Sequence, residues 1–155
     1  MSQEKDTAGV LAPPPIIYLA FFVIGVELDY LWPLPLLPKP LQYILGFAVI
    51  AASAVLIVAV FRAFSKAKTS IDPYKPTTAI ISAGPFGHSR NPAYVALTLL
   101  FIGCAVAVDG LWIIAMAVPA VLTIHYFVVL REEVYLERKF GAEYLDYKAA
   151  VRRWI

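Results

Sequence analysis

Four runs of apolar residues dominate the chain, and the residues between them set where each run can stop. The first, residues 16–32, is closed by Pro33, Pro35, Pro38 and Pro40, which a continuous helix does not tolerate, so it reads as a short or tilted span. The second, residues 41–64, is rich in Ala, Val, Ile and Leu and carries no charge until Arg62; it is long enough to cross a hydrocarbon core of roughly 30 Å. A polar stretch, residues 65–91, follows, with Asp72-Pro73, Lys75-Pro76 and Gly84-Pro85 as turn signals and an apolar interlude at 79–81. Pro92 then opens the third run, at a position where its missing N–H has no helical partner to lose. That run ends at Asp109-Gly110, and residues 111–130 return as the fourth, with Pro119 expected to kink it. So short a turn predicts a tight antiparallel hairpin. The tail, residues 131–155, changes character: Phe140, Tyr144, Tyr147, Val151 and Trp154 recur at spacings of four and three with charges between them, which predicts one amphipathic helix. The pattern as a whole predicts an all-α membrane bundle of about four transmembrane helices plus that tail.

Composition agrees with the pattern. Of 155 residues, 61% are hydrophobic and 15% charged, whereas a water-soluble domain carries about half apolar and a quarter charged residues. The runs consume so much of the chain that no separate soluble catalytic domain fits; a single domain over 1–155 is expected, with two helices in 1–64 and a loop, hairpin and tail in 65–155. A net charge of +2 gives no argument for nucleic acid. Distribution of charge is more informative than its sum. Arg62, Lys66, Lys68, Lys75 and Arg90 precede the third run and Arg131, Arg138, Lys139, Lys148, Arg152 and Arg153 follow the fourth, against Lys39 alone on the opposite side. By the positive-inside rule, the N-terminus, the 65–91 loop and the tail are expected to be cytoplasmic. The N-terminus, with Glu4, Lys5 and Asp6, lacks a secretory-signal pattern, and the first helix is read as retained. The lone Cys104 sits in an apolar run and cannot form an intrachain disulfide.

Two polar segments share the expected cytoplasmic side. Residues 84–94, Gly-Pro-Phe-Gly-His-Ser-Arg-Asn-Pro-Ala-Tyr, precede and open the third run, and Arg131-Glu132-Glu133 stands where the fourth leaves the membrane. The hairpin brings these ends together. Because the third run is barely long enough to span, Asn91, Pro92 and Tyr94 are expected at or just below the interface, where a water-soluble cofactor and a lipid-soluble substrate can meet.

The order of Gly-Pro-Phe, Arg90-Asn91-Pro92-x-Tyr94, a hydrophobic hairpin, Glu132-Glu133 and Phe140-Gly141-x-Glu143-Tyr144-x-x-Tyr147 resembles the C-terminal region of isoprenylcysteine carboxyl methyltransferases and phospholipid methyltransferases. The stretch from Thr69 to Pro73 is similar to bacterial members, and the likeness covers roughly residues 68–154. It implies S-adenosyl-L-methionine as cofactor and a membrane lipid or lipidated small molecule as substrate, with no metal and no nucleic acid. Carried over by position, Thr78, Ala79, Ile80 and Ile81 would supply backbone contacts, and Gly84 would belong to the pocket loop. Phe86 would wall the adenine or ribose. Asn91, Pro92, Ala93 and Tyr94 would line the pocket, and Glu132 and Glu133 would face the cofactor's polar end. Arg90 and Glu132 are the implied catalytic pair: a carboxylate can accept hydrogen bonds from an ammonium or from ribose hydroxyls, and a guanidinium matches either the cofactor's carboxylate or an anionic acceptor. Where many members have His after the Arg, this chain has Asn91, which cannot act as a base. Methyl transfer from a sulfonium is an in-line displacement that alignment and exclusion of water can largely catalyse, so no dedicated nucleophile is required.

Plainer readings stand beside these. Arg90 and its basic neighbours also fit as topology determinants and anionic-lipid contacts, and Glu132 and Glu133 as the acidic first turn of a helix. His125 is an ionisable group at membrane depth that also fits as a neutral interhelical partner. Glu27 and Asp29 read as interfacial, beside the aromatic anchor of Tyr30 and Trp32. A small four-helix transporter using Glu27 as its coupling acid, or a non-catalytic scaffold, are the alternatives to an enzyme. Neither needs Arg90-Asn91-Pro92, Glu132-Glu133 and the Phe140-Gly141 tail together.

Overall fold

In the computed structural model, which describes residues 6–10, 12–72 and 74–155, proline occupies the first turn of each of the first three helices, where its missing N–H costs least. Glu4 and Lys5 of the N-terminus, and Pro73 of the Asp72 turn, lie outside the described residues. Helix α1 is Pro14–Leu31, α2 Lys39–Ala67, α3 Pro92–Ala107, α4 Leu111–Ile124, α5 Leu130–Phe140 and α6 Ala142–Ala150. A 3-10 turn, Gly84–Gly87, precedes α3, and a π-helical turn, His125–Val129, joins α4 to α5. No strand occurs among the described residues. The helices Pro14–Leu31, Lys39–Ala67 and the continuous Leu111–Phe140 are each long and apolar enough to cross a membrane. With 16 residues, α3 rises about 24 Å, less than a core of roughly 30 Å. The chain is an all-α membrane bundle, and Leu19, Phe47 and Val55, each more than 60% exposed, belong to a surface suited to lipid rather than water.

Close approach, not bulk, holds the helices together. Burial of apolar surface gains little between helices surrounded by lipid, so small residues and interhelical hydrogen bonds carry the packing. α3 and α4 form the hairpin, α2 packs along α3 and α1 along α4. A side chain at Gly46 would come within 2.6 Å of Ala107, one at Gly103 within 2.9 Å of the Ile50 nitrogen, and one at Gly25 within 2.6 Å of the Ile113 Cα. Ser53, fully buried, donates its hydroxyl to the Ala96 carbonyl at 2.7 Å.

The end of the bundle away from the polar segments is fastened by two aspartates. Asp109, in the left-handed region at φ 60°, turns α3 into α4, and its Oδ1 accepts the N–H groups of Leu36 and Leu37 at 3.0 and 2.9 Å. Asp29 accepts the N–H groups of Trp112 and Ile113 at 3.3 Å each, at the first turn of α4. An aspartate there satisfies donors that no helical carbonyl can reach.

One expectation changes. The tail is not one helix: Gly141, at φ 55° and ψ −125°, separates α5 from α6, and Val151 is already extended at φ −124° and ψ 135°. Val151 and Trp154 continue the apolar spacing but not the helix; the Lys148 carbonyl, which the Arg152 N–H would need, accepts Arg90 Nη1 at 2.9 Å instead. A second irregularity, beyond the kink expected at Pro119, lies in the fourth run. Helix α4 runs through Pro119, and the departure from α-helical pairing comes at 125–129, after Thr123 has donated its hydroxyl to the Pro119 carbonyl at 2.8 Å.

Candidate active site

The polar segments converge on a cavity of 480 Å³ at the α3 N-terminus, a volume suited to a small molecule of cofactor size. Its walls come from seven stretches of chain: the N-terminal segment (Ala8, Pro13), the end of α2 (Phe61, Phe64), the loop from Ser70 to Ile81, the 3-10 turn (Phe86), the start of α3, and the faces of α5 and α6. Gly84 adopts φ 62° at the start of the 3-10 turn. That turn buries Phe86 edge-on against Phe64, their ring centroids 5.5 Å apart. Tyr147 donates its hydroxyl to the Phe86 carbonyl at 2.8 Å, tying α6 to the same turn.

Most of the residues expected at the site lie around this cavity. Ala79, Ile80, Ile81, Phe86, Arg90, Asn91, Pro92, Ala93, Tyr94, Glu132 and Glu133 all line it. Thr78 and Gly84 do not. Thr78 is exposed; its N–H goes to the Thr69 hydroxyl at 2.9 Å and its own hydroxyl to the Lys68 carbonyl at 3.3 Å, which fastens the loop. Gly84 is exposed and serves the turn rather than the wall. Sequence reasoning missed Tyr135 and the Phe61 and Phe64 pair. Each stands three residues from a neighbour on the same wall, a helical spacing that could have been read.

The adjacent glutamates have opposite surroundings. Neighbours on a helix point about 100° apart, so two consecutive carboxylates need not share a fate. Glu133 is 5% exposed and saturated: its Oε1 accepts from Arg90 Nη2 at 2.9 Å and Arg153 Nε at 2.8 Å, and its Oε2 from Arg153 Nη2 at 2.9 Å. Lys148 Nζ stands 3.9 Å from the same carboxylate and also pairs with Glu137. Glu132 forms no salt bridge among the described residues; its Oε1 accepts the Tyr94 hydroxyl at 2.7 Å, and the carboxylate faces the cavity. Tyr94 is steadied in turn by Thr98, which donates to the Tyr94 carbonyl at 2.8 Å and meets the Tyr18 hydroxyl at 2.7 Å.

Arg90 is heavily committed to the protein. Nη1 donates to the carbonyls of Lys148 and Val151 at 2.9 and 2.7 Å, and Nη2 to Glu133, while Nε is buried without a partner among the described residues. The Asn91 side-chain amide donates to the Arg153 carbonyl at 2.9 Å. Burial pushes the Tyr147 hydroxyl up to about 12 and the Tyr144 hydroxyl higher still, so both remain protonated donors near neutral pH and neither serves as a base.

Tyr135 joins two irregular segments to α5. Its hydroxyl accepts the Thr77 N–H at 3.2 Å and donates to Asp6, whose Oδ2 also pairs with Lys139 at 2.6 Å. Glu27, the acid a transporter would need, is exposed on α1 and lines neither this cavity nor the one beside Asp29 and Asp109.

Comparison with known proteins places this geometry. An uncharacterized protein of Haemophilus influenzae is 57% identical over 35 residues, which is 23% of this chain and 56% of that relative, so the likeness spans little more than half of the relative's own length. No solved structure matches the chain. Residues 41–143, well over half of the chain and everything from the start of α2 into α6, match the phospholipid methyltransferase family. With its apolar spanning helices and the two polar segments closing on one cavity, the chain belongs to the phospholipid methyltransferase family.

Proposed function

We propose that the cavity binds S-adenosylmethionine and that the protein transfers its methyl group to a lipophilic acceptor, of the isoprenylcysteine carboxylate or phospholipid amine kind, at the membrane interface. One observation carries the reading: a half-buried carboxylate, Glu132, faces a largely apolar cavity with no cation paired to it among the described residues. An unneutralised carboxylate in such surroundings is costly unless its ligand brings positive charge or hydrogen-bond donors. S-adenosylmethionine brings both, and the donor set fits it in other respects. Phe86 offers an aromatic wall, Arg90 Nε is a buried donor without a partner, and Ala79, Ile80 and Ile81 give one wall a stretch of backbone outside regular structure.

When bound, S-adenosylmethionine supplies an activated methyl group on a positively charged sulfur. Glu132 orients the ligand's ammonium or hydroxyl groups, and Tyr94 fixes the carboxylate that does so. Phe64, Phe86, Ile80 and Ile81 exclude water, which favours a displacement whose charge diminishes. Phe61, Ile71 and Tyr74 line the cavity while remaining 55%, 43% and 47% exposed, so its mouth is rimmed with apolar side chains suited to an acceptor arriving from lipid. The clustering of Lys and Arg on this side supports a cytoplasmic face.

Calorimetric titration of the purified protein in detergent with S-adenosylhomocysteine tests the cofactor, and transfer of labelled methyl to a panel of lipid amines and prenylated thioether carboxylates tests the acceptor. Micromolar binding with transfer to at least one lipophilic acceptor is expected. Absence of binding overturns the cofactor assignment; binding with transfer only to water-soluble acceptors overturns the lipid one.

A further inference from the structure

Taking the cavity as the S-adenosylmethionine site, we propose that Asn91 and Glu133, with the Nη groups of Arg90, are positioning residues whose ligand is the protein's own C-terminal strap, residues 151–155. They act on the bound molecule only through the seating of that strap.

The observation is a run of main-chain carbonyls with partners drawn from one short loop. Helix α6 ends at Ala150, and an extended segment on its own leaves its carbonyls to water. Here the Val151 carbonyl accepts from Arg90 Nη1 at 2.7 Å, the Arg152 carbonyl from the Arg90 N–H at 2.9 Å, and the Arg153 carbonyl from Asn91 Nδ2 at 2.9 Å. Three consecutive carbonyls thus meet two consecutive residues. Glu133 completes the buckle by binding Arg153 through both oxygens while holding Arg90 from the other side. Beyond it Trp154 packs against the buried core, its ring centroid 6.1 Å from that of His125 in the π-helical turn.

The strap itself is absent from the cavity wall, but α6, which it terminates, contributes Tyr144 and Tyr147. Holding the end of α6 against the loop before α3 keeps those two tyrosines closed over the ligand. The chemistry of each residue follows from that role. Asn91 is needed as an N–H donor to a carbonyl, and a carboxylate at that position would repel the Arg153 carbonyl. Glu133 is needed as a bidentate acceptor for arginine, and both of its oxygens are engaged by guanidinium groups.

The test uses the full chain in detergent, with two readouts: trypsin cleavage after Arg152 and Arg153 followed by intact mass, and S-adenosylhomocysteine binding by calorimetry. Asn91→Ala and Glu133→Gln are each expected to accelerate cleavage at least tenfold and to weaken binding about tenfold. Asn91→His, which presents a ring N–H in the same direction, is expected to restore protection from trypsin. Glu132→Gln is expected to weaken binding with cleavage at the wild-type rate. Deletion of residues 152–155 provides a second route: binding is already weak, and adding Asn91→Ala changes it less than twofold, because the partner of Asn91 is gone. Weakened binding in Asn91→Ala and Glu133→Gln with unchanged cleavage, or a further tenfold loss when Asn91→Ala is added to the deletion, overturns the proposal and returns these residues to direct contact with the ligand. If the wild-type chain fails to bind S-adenosylhomocysteine, the cofactor reading falls, while the cleavage rates alone still decide whether these residues hold the strap.

Discussion

Both ends of the bundle place carboxylates near helix termini, and they use them differently. At the far end Asp29 and Asp109 each accept two main-chain N–H groups, and their chemistry is consumed in turning the chain. At the cavity end Glu133 is likewise consumed, by two arginines, but Glu132 beside it has a single tyrosine hydroxyl. A carboxylate that the fold has satisfied is architecture. One that the fold has half-buried and left open toward an apolar cavity needs something else to justify its cost, and that asymmetry is what separates the two ends.

The largest expected effect comes from removing the unsatisfied charge. Glu132→Gln keeps the size and the acceptor for Tyr94 but loses the negative charge, and kcat/KM for methyl transfer should fall about 100-fold or more, equivalent to roughly 3 kcal/mol. Thermal stability in detergent should hold or rise, since a costly buried charge is gone. A comparable loss of stability with intact transfer would make Glu132 an architectural residue like its neighbour and erase the contrast.

Next in size is Tyr94→Phe, which leaves the cavity wall in place but withdraws the hydroxyl that orients Glu132. One hydrogen bond to a charged group is worth about 1.5 kcal/mol at the low end, which suits a group that only orients Glu132, so a decrease in kcat/KM of roughly tenfold is expected. Combined with Glu132→Gln, the tyrosine change should add little, because the two act as a unit; full additivity in a double-mutant cycle would show that they do not.

How much of this was legible in the sequence depends on what carried the information. The helices, the Asp109-Gly110 turn and the convergence of residues 84–94 with Glu132 and Glu133 could be read because apolar periodicity and chain reversal are written in side chains. The strap could not, because its partners are main-chain carbonyls at Val151, Arg152 and Arg153, and every residue has a carbonyl. Spacing alone also hid the break at Gly141, since the apolar positions continue through it while the backbone does not. The family resemblance carries Thr78 to the site together with Ala79, Ile80 and Ile81, but in an irregular loop adjacent residues face different ways, and Thr78 is not in the cavity wall. The division of labour between Glu132 and Glu133 belongs to the same class. The sequence presents an identical pair, and only their surroundings separate them.

The smallest expected effect lies at the far end and tests the other half of the contrast. Asp109→Ala removes the acceptor for the Leu36 and Leu37 N–H groups and replaces a residue tolerant of positive φ with one that is not. Because these donors are partly exposed and water can replace the carboxylate, the cost should be about 1–2 kcal/mol, seen as a drop of several degrees in the unfolding temperature in detergent. S-adenosylhomocysteine affinity should stay within twofold of wild type, because the turn between α3 and α4 lies at the opposite end of α3 from the cavity. Asp109→Asn should recover part of the loss: the amide oxygen still accepts, and asparagine adopts the left-handed conformation readily. A tenfold change in ligand affinity from Asp109→Ala would mean that the two ends are coupled along α3, and the caps could no longer be treated as architecture alone.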